Sequence, residues 1–278
     1  MTAPSDKRGP AGLDAFLAET LQPAFWTPEL LDEESAFWPH APFVFWLMAA
    51  TRPRVLVELG VDRGVSYAAF CEAARRLEFA ASFCAIDPFA NDDAFADFQT
   101  FHDVRYAGFS RLVRKAPDEA FGLFADRSID LLHINASALA GDPLEIAGQW
   151  RAKLSPRGLM LIHGATHGAD GAPTFHFPQG EGLTLIAPGA EPPQAIAQLC
   201  ALDEEAAGKI RANFGALGAR WAEKATILGL LRQFERDFLA LTPKDKDFRL
   251  TLLDRFHNSF VKTTADPWRY FRRRKSHK

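Results

Sequence analysis

Cysteine is scarce: Cys71, Cys84 and Cys200 are the only three in 278 residues. They form neither a disulfide framework nor a zinc-ligand spacing, and they read as thiols of a reducing cytoplasm. A long apolar run is missing too. The longest extends from Pro42 to Ala50, against the roughly 20 residues needed to cross a bilayer. The opening MTAPSDKRGPAG lacks the apolar centre of a secretory leader. Positive charge is not in excess, with 32 Lys and Arg against 35 Asp and Glu for a net −3. Six of the basic residues (Arg269, Arg272, Arg273, Arg274, Lys275 and Lys278) sit in the last eleven positions, which hold no acid. Setting those six charges aside leaves residues 1–267 at −9, so nucleic acid is excluded as a partner of the body.

What is present is an ordinary folding composition, 47% apolar and 24% charged, in three zones. Residues 1–50 read as a helical, aromatic segment. Leu13, Phe16, Leu17 and Leu21 recur at helical spacing, Thr27-Pro28-Glu29 has the chemistry of a helix start, and Pro42 opens a short buried helix. Residues 51–190 alternate strands and helices. Strands are expected over residues 54–59, 81–86, 111–115, 129–134 and 159–162, with a turn at Ser155-Pro156-Arg157-Gly158. Helices are expected over residues 66–77, after Pro117, and from Asp142-Pro143 to about Leu154. Residues 175–177 and 183–187 flank a turn and read as a hairpin. Repeated β-α units with apolar strands imply an α/β fold, a mostly parallel sheet with an antiparallel edge hairpin. Residues 191–278 return to helix, with an apolar stripe from Trp221 through Phe234 to Leu241 that Phe248, Leu252, Phe256 and Phe260 continue.

In an open α/β sheet, ligands sit beyond the carboxyl ends of the strands. The first such end here is Glu58-Leu-Gly-Val-Asp-Arg-Gly-Val-Ser66. Gly60 and Gly64 allow close backbone approach, and the helix that follows can direct free N–H groups at an anion. A dinucleotide site wants G-x-G-x-x-G, and these two glycines are four apart, so a nicotinamide oxidoreductase fails on spacing. Asp87 ends the second strand, where a carboxylate can accept from both hydroxyls of a ribose.

E-x-G-x-x-x-G-x-S resembles the first motif of class I methyltransferases that use S-adenosylmethionine. The stretch from Ser35 to Arg76, followed by AIDPF, FHDVRY, SIDLLHIN, KLSPRGLMLIH and GEGLTLIA, is similar to a bacterial group of that class often encoded beside glycosyltransferases of surface-polysaccharide assembly. The resemblance covers about residues 35–187. It implies a Rossmann-like sheet with helical N- and C-terminal extensions, and S-adenosylmethionine as cofactor. A sugar hydroxyl or glycan precursor would be the acceptor, with a glycosyltransferase as a partner. Glu58, Gly60, Gly64, Ser66, Asp87 and Asn135 would hold the cofactor, with Glu58 near its ammonium and Ser66 at its carboxylate.

Two positions depart from the group. The acid usual after Leu132-His133-Ile134 is Asn135, and the one usual after Leu161-Ile162-His163 is Gly164. Hard cations want anionic oxygen ligands, so no metal is expected. Proton removal then falls to His163 or His167, because imidazole titrates near neutral pH. His133 reads as a core histidine. His102 and Tyr106, placed in a loop before the third strand, either line an acceptor pocket or pack over the sheet; Trp150 reads as core. The same departures support a rival reading, an inactive methyltransferase fold serving as a binding module for a glycan-assembly enzyme. The basic tail, residues 268–278, reads either as a solvated terminus or as a segment at an anionic membrane surface.

Overall fold

The computed structural model describes residues 20–31, 35–165 and 171–241. The chain divides into two compact units, Met1–Thr226 and Ile227–Lys278. The first holds a seven-stranded sheet: β1 (Val55–Leu59), β2 (Ser82–Asp87), β3 (Ser110–Arg114), β4 (Ile129–Asn135), β5 (Leu154–His163), β6 (Thr174–Phe177) and β7 (Leu183–Ile186), in the order 3-2-1-4-5-7-6. The first five strands run parallel, and β7 is antiparallel to both β5 and β6. The expected architecture is therefore present, edge hairpin included.

Helices α1 (Ala41–Thr51), α2 (Val65–Leu77), α3 (Asp92–Tyr106), α4 (Pro117–Ala120), α5 (Pro143–Trp150), α6 (Gln194–Cys200) and α7 (Glu204–Leu241) complete the fold. The boundary between the units falls inside α7. Each start has a local cause. Asp142 accepts from the Leu144 N–H to cap α5, and Pro143 occupies the first turn, where its missing N–H costs nothing. α1 is apolar all round, and Ala41 to Met48 are all buried, as a helix without a polar face must be.

Strand periodicity sorts the core into two faces. Val57, Leu59, Leu132, Ile134, Met160 and Ile162 point to one side, against Trp150 and Ala147 of α5. Glu58 and His133 are direct partners across β1 and β4, and Asn135 pairs with His163 across β4 and β5. They point to the opposite side.

Three sequence expectations are corrected. Residues 155–158 do not form a free turn: β5 runs unbroken through them, and the register jumps between Ile129↔Leu154 and Leu131↔Leu159. The proline and glycine are absorbed as a bulge, which tolerates both. Residues 29–31 make a turn rather than a helix start. His102 and Tyr106 lie on α3, not in a loop. Of the C-terminal apolar stripe, Trp221 is buried while Ile227 and Phe234 are 37% and 54% exposed; Phe248 to Phe260 and the basic tail lie outside the described residues. No described helix is long and apolar enough to cross a membrane.

Candidate functional site

The site is built where β1, β2, β4 and β5 end. After Leu59 the chain turns through Gly60 and Gly64, both at positive φ (79° and 81°), a region glycine enters without strain. Gly64 caps α2. Asp87, the last residue of β2, ties this turn down. Its Oδ2 accepts from the N–H of Val61 (2.7 Å) and of Asp62 (3.1 Å), and its Oδ1 accepts from the N–H of Phe89 (2.5 Å). The side chain is 7% exposed. A carboxylate has about four acceptor positions. Three are used by backbone, leaving about one for a ligand hydroxyl; the second hydroxyl of a ribose would have to share with Val61, Asp62 or Phe89.

Both glycines make room for the protein's own chain. A Cβ at Gly64 would lie 2.0 Å from the Phe98 ring of α3. One at Gly60 would lie 2.8 Å from Leu139 Cγ, 2.9 Å from the Asn135 carbonyl oxygen and 3.1 Å from Ala138 Cβ. Phe98 and Phe89 are buried, and Phe89 packs on Phe95. The residue types around the turn thus fit a nucleoside carrying an amino-acid arm: an end-of-strand acid for the ribose, and a glycine turn for the arm. The space along the turn is held by Leu139 and Phe98.

Glu58 and Ser66 face inward from this rim. Ser66 Oγ donates to Glu58 Oε1 at 2.6 Å, and Glu58 Oε2 lies 3.0 Å from His133 Nδ1, off the line of a hydrogen bond. All three are buried. Beside them stand His163 and His40, their rings 5.5 Å apart, with Phe37 edge-on to His133 and His163 and Phe70 tilted against His133. The Nε2 atoms of His40, His133 and His163 have no hydrogen-bond partner. His163 Nδ1 contacts Asn135 Oδ1 at 3.3 Å, and Ser137 Oγ donates to the same oxygen at 2.9 Å. Burial, then the neighbouring imidazoles of His133 and His40, pushes His163 down to about 3. Burial also lowers His40 to about 4, the facing Gln179 backbone opposing it. Both rings are neutral at neutral pH, and His163 in this state is a weak proton acceptor.

His40 is the member that the sequence did not announce. It sits in WPHAP, where nothing local marks it, and its neighbours come from distant segments. His167 lies outside the described residues. His102 is core: its Nε2 contacts Ser110 Oγ at 2.8 Å, and Tyr67 OH shares that hydroxyl at 2.6 Å. Tyr106 OH donates to Glu29 Oε2 at 3.1 Å, so neither residue lines an open acceptor pocket. Trp150 is core as expected. Among the described residues no three His, Cys, Asp or Glu side chains are grouped to hold a metal.

Residues 57–165 match a family model described as a methyltransferase domain. The chain is 32% identical over 230 residues to the uncharacterized protein y4gI of Sinorhizobium fredii, which covers 75% of this chain. It spans about a quarter of that relative's length, 25%. Solved structures with similarity include a methyltransferase from Geobacter sulfurreducens (18% identity, TM-score 0.45, covering 54% of this chain and 78% of that one). A putative caffeoyl-CoA O-methyltransferase from Staphylococcus aureus matches at 13% identity and TM-score 0.44, over 54% of this chain and 82% of its own. A Podospora anserina methyltransferase, solved with SAH bound, matches at 14% identity and TM-score 0.44, over 64% and 88%.

Proposed function

We propose that this chain transfers a methyl group from S-adenosylmethionine to a hydroxyl of a carbohydrate or glycan precursor, without a metal. The observation that carries the cofactor reading is Asp87. It stands at the end of β2 beside a glycine turn, with one acceptor position to spare, inside the stretch that matches a methyltransferase domain. When bound, the cofactor supplies an electrophilic methyl on a sulfonium. The chain's own part is to bind, align and exclude water. Asp87 would accept a ribose hydroxyl, and Asn135 would orient a polar group from the end of β4. Phe89 would shield the site from solvent, and Phe98 and Leu139, which fill the space along the glycine turn, would have to give way to the amino-acid arm. The acceptor's proton would pass to His163, which is neutral but, held at about 3 by burial, a weak base. Asn135 and Gly164, where the group that the sequence resembles usually carries acids, support a metal-free route; the carbohydrate rests on the sequence resemblance alone.

A second reading is favoured by Leu139 and Phe98 against the two glycines: a methyltransferase fold kept as a binding module for a glycan-assembly enzyme. Calorimetric titration with S-adenosylmethionine and with its demethylated product separates the two. The enzyme reading expects saturable binding of both, weakened at least tenfold in Asp87→Ala, and methyl transfer to a glycan acceptor. Binding without transfer on any glycan acceptor selects the second reading. No binding of either ligand removes the cofactor.

A further inference from the structure

We infer that a second site, specific for a phosphate-type oxyanion, lies at the opposite end of the parallel strands, where Arg52, Arg54 and Arg157 line one cavity. The cavity is about 200 Å³ and is completed by Thr51, Pro53, Asp130, Leu159 and Pro193. It opens at the amino-terminal ends of β1 and β4 and at the bulge of β5. β1 has five residues, so about 16 Å of strand separates it from the glycine turn. The inference is independent of the methyltransferase reading.

The cavity is held in shape by Asp130. Its Oδ2 accepts from the backbone N–H of Arg54 at 2.9 Å and of Val55 at 3.4 Å, and its Oδ1 accepts from Ser155 Oγ at 2.7 Å. Ser155 Oγ in turn accepts from the Arg157 N–H at 3.3 Å. The one acid of the cavity therefore fixes the two backbone segments that carry Arg54 and Arg157, and it forms no ion pair with their guanidinium groups. Arg52 follows α1 in the left-handed region, φ 43° and ψ 61°, a conformation that side-chain-bearing residues rarely adopt.

Several basic side chains elsewhere find acids. Arg76 meets Glu72, Arg114 meets Asp92, Arg211 meets Glu204, Lys153 meets Asp126 and Lys209 meets Glu205. Among the described residues, Arg52, Arg54 and Arg157 have no carboxylate within ion-pair distance. Three arginines against the single acid Asp130 leave this concavity positive in a chain of net charge −3, and an entering anion relieves their repulsion. Guanidinium forks match the oxygens of a phosphate in pairs. The volume suits a phosphate group with a small alcohol attached, whether a soluble monoester or a phosphate-bearing lipid headgroup.

The test uses the full chain and arginine-selective labelling with phenylglyoxal, read by peptide mass spectrometry at fixed ionic strength. Inorganic phosphate in chloride buffer is expected to slow labelling of Arg52, Arg54 and Arg157 at least fivefold, and to leave the exposed Arg127 unchanged. Vesicles of phosphatidylcholine with phosphatidic acid, against phosphatidylcholine alone, form the second arm. Protection by free phosphate assigns a soluble ligand; protection by the phosphatidic acid vesicles alone assigns a headgroup. Protection by neither, or equal protection of Arg127, overturns the site. In calorimetry, Arg54→Gln/Arg157→Gln is expected to lose at least tenfold in phosphate affinity, its melting temperature without phosphate checking the fold. Unchanged affinity in the folded variant overturns the assignment.

Discussion

Substituting Gly64 with alanine strikes the turn in two separable ways. The residue sits at φ 81°, where an alanine costs about 1–2 kcal/mol in backbone strain. Its new Cβ would also lie 2.0–2.3 Å from three atoms of the Phe98 ring, and forcing a buried ring aside costs about 1–3 kcal/mol. Gly64→Ala should therefore destabilise by about 2–5 kcal/mol. Phe98→Ala alone leaves a cavity and should cost about 3–5 kcal/mol. In the double variant the steric part vanishes while the backbone strain remains, giving about 4–7 kcal/mol rather than the sum of the singles. Urea denaturation of the four proteins, extrapolated linearly, yields the coupling. A favourable coupling of about 1–3 kcal/mol is expected. Additivity within about 0.5 kcal/mol would refute the placement of Phe98 on the glycine turn.

Asp87→Asn leaves fewer acceptor positions for three backbone N–H groups and should lower stability by about 1–3 kcal/mol; an unchanged urea midpoint would show that the carboxylate does not tie the turn. Stability should also depend on pH through the buried histidines. His163 and His40 bind protons less readily folded, at about 3 and about 4, than at their ordinary 6.5. Their contribution is complete above 6.5 and lost as pH falls toward 4, at up to about 1.4 kcal/mol per pH unit for each proton. Glu72 opposes them: burial raises it from 4.5 to about 7, so its contribution fades as pH rises through that window. The net slope between pH 4.5 and 6.5 should be positive and should flatten or reverse in His40→Gln/His163→Gln, as urea melts across pH would read; an unaltered slope would show that the two imidazoles do not titrate as described. Finally, burial raises all three thiols, and Cys71 and Cys84 are buried while Cys200 is partly exposed. Native-state maleimide labelling should reach Cys200 first and Cys71 only on unfolding; early modification of Cys71 would contradict its packing.

Period-two strands were legible because each carries its own pattern: Val55–Leu59 and Ile129–Asn135 differ from expectation by one residue at most. The glycine turn and Asp87 were legible for the same reason, as short-range chemistry. α3 was not, since Phe95, Phe98 and Phe101 sit on a helix whose polar residues give no clean amphipathic stripe. Ser155-Pro156-Arg157-Gly158 has the composition of a turn, and the pairing of the flanking Leu154 and Leu159 with β4 keeps it in a strand. The histidine cluster was least legible of all. His40, His133 and His163 meet because three chain segments stack, and no local spacing encodes that.

The Asp87 carboxylate fastens the loop and, on the proposed function, would also be the hand offered to a guest. Whatever hydroxyl takes hold of it must bargain with the amides of Val61, Asp62 and Phe89. Occupancy and loop tension are thereby linked quantities: a visitor that loosens those amides loosens the start of α2, and stiffening that start by design would alter how tightly the visitor is held.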